Sequence, residues 1–80
     1  MNVPYAGLQK HLEALDQQAW QARFASLGEL RRLVDDMLRL APPGSVAEAR
    51  GHYHRAVWAW QTHQRELSKA ARVEAARIFE

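Results

Sequence analysis

The sequence predicts an all-α chain: a long antiparallel helical hairpin, with helices over about 6–41 and 46–79, in a single domain spanning 1–80. Three observations predict it. Leu, Ala, Gln, Glu and Arg dominate the first arm, which has no internal proline. One strong break divides the two arms, "APPGS" at 41–45, where two prolines and a glycine end a helix and start a turn. The arms are nearly equal in length, so folding at that turn sets apolar residues against apolar residues throughout.

Ahead of the first arm, residues 1–5 read as extended, with Pro4 suited to a first helical turn. The first arm then runs from about Ala6 to Ala41. It contains "SLGE" at 26–29, a capping-box pattern in which Ser26 could start a new helix. The alternative fold is therefore a three-helix bundle broken at Ser26. The continuous reading tolerates Gly28 at a cost of about 1 kcal/mol. After the turn, "SVAE" makes Ser45 an N-cap with Glu48 as its reciprocal partner, and helix follows. The hairpin register pairs Leu40 with Ala47, Leu30 with Val57, Leu27 with Trp60, Trp20 with Leu67 and Leu12 with Ala75.

The second arm poses a question at "AVWAWQ", residues 56–61. Two residues apart on a helix, Trp58 and Trp60 point about 200° from one another. A stripe at spacings of three and four includes Val46, Ala49, Tyr53, Ala56, Val57, Trp60, Leu67, Ala71 and Ile78. That pattern makes Trp60 the core tryptophan. It leaves Trp58 on the far face beside His54, Gln61 and Arg65, a set suited to binding a partner.

The first arm carries apolar residues over an arc of roughly 200°, wider than the stripe of about 100° that faces a single core. The expected resolution is self-association of two hairpins into a four-helix bundle. Leu15, Leu33, Leu40, Met37 and Trp20 are the residues expected at that homodimer interface.

Composition bounds the function. Eleven Lys+Arg against nine Asp+Glu give a net charge of +2, too small for a strong nucleic-acid footprint. On the second arm Arg50, Arg55, Arg65, Lys69, Arg72 and Arg77 are interleaved with Glu48, Glu66, Glu74 and Glu80, so a small dimeric nucleic-acid-binding bundle is a lesser alternative. There is no cysteine, which removes disulfides and thiolate metal sites. No apolar run approaches the ~20 residues of a membrane span. "MNVPYAGLQK" has no charged segment followed by an apolar core, so the expected location is cytoplasmic.

Chemistry is equally sparse. His52 and His54 of "HYH" diverge on a helix and cannot share an ion, so no metal and no cofactor are expected. The histidines, His11, His52, His54 and His63, read as solvated polar positions. Adjacent Asp35 and Asp36 splay apart and cannot share a proton. With no thiol nucleophile, phosphate loop or G-x-S-x-G turn, no enzyme activity is expected.

The proline-containing turn "APPGS", followed by spaced Tyr53 and Trp60, resembles the needle subunits of type III secretion systems and the small helical chaperones that hold them soluble. The P-x-x-P turn of the needle family is absent. That resemblance implies a polymerising structural subunit or its chaperone. A small phage-encoded inhibitor of a host factor is a further alternative. The leading expectation is a non-enzymatic protein-binding module, an adaptor, chaperone or inhibitor that acts through an apolar helix face.

Overall fold

The computed structural model describes residues 5–79, with side chains from residue 7 onward. The extended stretch expected before Pro4 lies outside the described residues. Four helices make up the rest: α1 (Tyr5–Ala22), α2 (Leu27–Leu40), α3 (Val46–Gln61) and α4 (Arg65–Phe79). No described residue is in a strand. The all-α class and the turn at 41–45 stand as expected. Both long helices, however, are broken, so neither the two-helix hairpin nor the three-helix alternative describes the chain.

The first break follows the capping box. After Ala22 the chain tightens, with Ala25 and Ser26 N–H both donating to the Ala22 carbonyl. Ser26 then caps α2, its Oγ accepting from Glu29 N–H at 3.2 Å. The cap alone is worth about 1 kcal/mol. The larger driver is burial, because folding the first arm on itself gives its broad apolar arc an intrachain partner. Leu12, Leu15 and Ala19 of α1 meet Leu30, Leu33, Val34 and Met37 of α2 in one core cluster.

The second break carries neither glycine nor proline. α3 ends in a complete Schellman arrangement. Gln64 N–H donates to the Ala59 carbonyl at 2.8 Å and His63 N–H to the Trp60 carbonyl at 3.2 Å. His63 occupies the left-handed position, φ 62°, that glycine usually fills. Thr62 strengthens the stop, since its Oγ1 donates to the Trp58 carbonyl at 2.9 Å. Gln64 then accepts from Ser68 N–H to open α4.

α3 is the central helix, packed by α1, α2 and α4, whereas the α4 backbone lies against α3 alone. The helices form a flat body of 39 × 29 × 17 Å. Because neighbours surround α3, what it buries is small: Ala49, Gly51, Ala56 and Ala59, with His54. A Cβ on Gly51 would sit 2.9 Å from Leu38 Cδ2, so glycine lets α2 approach. On the other side Ser68, Ala71 and Ala75 of α4 are buried. Ser68 Oγ donates across the seam to the Ala56 carbonyl at 2.9 Å.

This topology changes the register and the tryptophans. Leu12 packs in the α1–α2 core rather than against Ala75, and Trp20 lies beside Tyr53 rather than Leu67. Trp58 is half-buried against the leucine core, while Trp60 is 58 % exposed, the reverse of the expectation. The large members of the α3 stripe, Val46, Tyr53 and Trp60, are exposed, while its small members Ala49 and Ala56 are buried where neighbouring helices approach closely.

Leu15, Leu33 and Met37, expected to join two chains, are core residues within one chain. Leu40 is half-buried and Trp20 stands at the surface. The apolar excess that argued for a dimer is largely consumed by the fold-back at Ser26.

Candidate functional site

The most informative surface is built by α1 and α3 together, with α4 at its edge. On α3, Tyr53, Val57 and Trp60 recur at spacings of four and three, so they share one face. Trp20, near the end of α1, joins them, its ring centroid 6.4 Å from that of Tyr53. Tyr53 is 44 % exposed and Trp20 46 %. Beyond Tyr53 the face dips into a groove of about 300 Å³ on the α3–α4 seam, lined by Tyr53, Ala56, Val57, Trp60, Ser68 and Arg72. Arginines stand over its aromatic rings: Arg23 lies 3.7 Å from the Trp20 ring centre and 5.0 Å from that of Tyr53, and Arg65 lies 6.0 Å from that of Trp60.

Under this face lies a polar cluster that anchors α1 to α3. His54 is 1 % exposed, contrary to its expected solvated position. Its Nδ1 lies 2.9 Å from an Arg23 guanidinium nitrogen. Its Nε2 lies 2.7 Å from Asp16 Oδ1. The guanidinium can only donate, so Nδ1 must accept, and the ring is neutral with its proton on Nε2, donated to Asp16. Burial pushes the His54 pKa below the ordinary imidazole range. The hydrogen bond to Asp16 opposes this, while the charge of Arg23 adds to it. Arg50 also approaches Asp16, at 3.7 Å. Burial lowers the pKa of the Arg23 guanidinium, with Tyr53 and Asp16 opposing. The Trp20 ring meets the His54 ring edge-on at 5.5 Å, so the cluster also fixes the aromatic face.

The four residues expected to bind a partner are not brought together as one surface. His54 is interior, Trp58 is half-buried with Arg31 5.4 Å from its ring, and Gln61 and Arg65 are exposed. Gln61 lines the seam groove and Arg65 flanks Trp60, so these two belong to the face described above. Sequence reasoning placed Tyr53 and Trp60 inside and did not assign Arg23 or Asp16. The available signal was the recurrence of Ala and Ser at 49, 56, 68, 71 and 75, which marks a seam between closely approaching helices.

A second cleft of about 540 Å³ separates the start of α1 from the 42–47 turn, with Leu8, Leu12, Met37 and Val46 on its walls and Asp16 and Arg50 on its lining. Among the described residues no group of three or more His, Asp or Glu is arranged to hold a metal ion. None of the described helices is long and apolar enough to cross a membrane. Comparison with protein families, curated proteins and solved structures finds no match to this chain.

Proposed function

We propose that this chain is a protein-binding module that docks another protein on the face of Trp20, Tyr53, Val57 and Trp60, without chemistry of its own. The observation that supports it is the division of apolar residues. Leucines and methionine fill the core, while three large aromatics form a continuous outward face. Contiguous exposed apolar surface of this kind marks interaction sites, and Trp, Tyr and Arg are the residues that concentrate binding energy there. The buried His54 cluster holds the face rigid, which reduces the ordering cost of binding. Adaptors, chaperones and inhibitors all use such a device.

The test is capture of interacting proteins by the immobilised full chain, beside Trp60→Ala and Tyr53→Ala. Each substitution is expected to weaken a captured protein by about 2 kcal/mol, roughly thirtyfold, as at interface hot spots. Capture that is indifferent to both substitutions overturns the assignment of this face.

A further inference from the structure

Resting on the protein-binding reading above, we infer that the segment docked on this face is acidic and amphipathic: an apolar side chain enters the α3–α4 groove, and carboxylates on either side engage Arg65 and Arg72. The groove, at about 300 Å³, is walled by Ala56, Val57, Tyr53 and Trp60, a volume suited to one or two large apolar side chains. None of its lining residues is a carboxylate, and one, Arg72, is a cation.

Arg65 flanks Trp60 at one end of this groove. Elsewhere on the surface Arg32, Arg39, Arg50 and Arg77 have carboxylate partners. Among the described residues Arg65 and Arg72, like Arg23, Arg31 and Arg55, have none within ion-pair distance, and of these five Arg72 lines the groove and Arg65 flanks its Trp60 wall. The two are seven positions apart on α4, so they lie on one side of that helix about 10 Å apart. A partner helix with two acids separated by two turns, and an apolar residue between them, matches that spacing.

Charge also separates this occupant from its competitors. A second copy docked about a two-fold axis would set this face, with Arg23, Arg65 and Arg72, against the same cationic face of the other copy, with no carboxylate on the groove lining to relieve them. A single-stranded nucleic acid needs a cationic track and open aromatic faces. Here one face of Trp20 is already covered by Arg23 at 3.7 Å, and the α4 cations alternate with Glu66 and Glu74.

A random peptide library displayed on phage, selected on the immobilised full chain and counter-selected on Trp60→Ala, tests the inference. The expected enriched sequences carry Asp or Glu on both sides of an aromatic residue or leucine. A labelled synthetic peptide of the consensus is then expected to lose about tenfold in affinity on Arg65→Gln/Arg72→Gln, and to be much less salt-sensitive on that variant. Enriched peptides without acidic bias, or equal affinity for the double variant, overturn the acidic partner while leaving the docking face intact. No enrichment, or enrichment that survives on Trp60→Ala, overturns the face itself. Tighter binding of an oligothymidine than of the peptide assigns the face to nucleic acid. A wild-type mass of two chains that falls to one in Trp60→Ala assigns it to a second copy. All three substituted side chains are exposed, so an unchanged helical circular-dichroism spectrum keeps each comparison valid.

Discussion

The two sides of α3 are held in different ways. Toward α1 and α2 lies a conventional core of leucine, valine and methionine. Toward α4 lies a seam of alanine and serine, in which Ser68 hydrogen-bonds the Ala56 carbonyl. The first side is stabilised by apolar volume removed from water. The second gains its stability from backbone approach and many short contacts, with little side-chain area. Substitutions should therefore act in opposite senses: shortening harms the core, and enlarging harms the seam.

The largest effect is expected from Leu30→Ala, which removes a fully buried side chain from the core. Loss of about 2–5 kcal/mol in urea unfolding is the expected result. Next is Ala71→Leu, at a buried seam position on α4. An overpacking cost of about 1–3 kcal/mol is expected, although leucine is an excellent helix former. A stabilised Ala71→Leu protein would show that the seam is loosely packed, and the contrast between the two sides would disappear.

The polar cluster adds a pH term to the core side. His54 is buried neutral, and its pKa is lowered relative to the unfolded chain. The folded state thus binds fewer protons than the unfolded state between the two pKa values. Its contribution is present in full above the unfolded imidazole pKa, about 6.5. It falls as pH drops through that value toward the lowered folded one. Urea midpoints at pH 7.5 and 5.5 should show this loss, and His54→Gln should flatten the dependence between them. An equal slope in the variant would mean that other groups carry it.

Two smaller effects sharpen the comparison at its edges. His63→Gly places the preferred residue in the left-handed position of the α3–α4 turn. A gain of about 0.5–1 kcal/mol is expected from the unfolding midpoint. Trp60→Ala should cost no more than about 1 kcal/mol, because the side chain is more than half exposed. A markedly larger loss would return Trp60 to a structural role.

Part of this fold is legible in the sequence. Helical class, the Pro42–Pro43–Gly44 turn and the Ser45 cap follow from local chemistry, and the structure keeps them. The Ser26 cap was legible as a possibility, yet its use depends on whether α1 has a surface to fold onto. The stop at Thr62–Gln64 had little local signal, since a histidine takes the place where glycine would announce a Schellman turn. The candidate face was half legible: Arg65 and Gln61 were singled out, while Trp60 and Tyr53 were assigned to the core. Periodicity groups residues by face, but it does not say which face turns inward.

By itself the sequence determined what is local: the helical class, the turn at Pro42–Gly44 and the Ser45 cap. Only the tertiary structure decided what is relational. It made α3 the central helix, turned its small residues and His54 inward, and left Tyr53 and Trp60 outside. The physical reason is close packing. A helix packed by three others accommodates small side chains at its closest contacts, so Tyr53 and Trp60 stand on the open face while Trp58 packs at the edge of the leucine core.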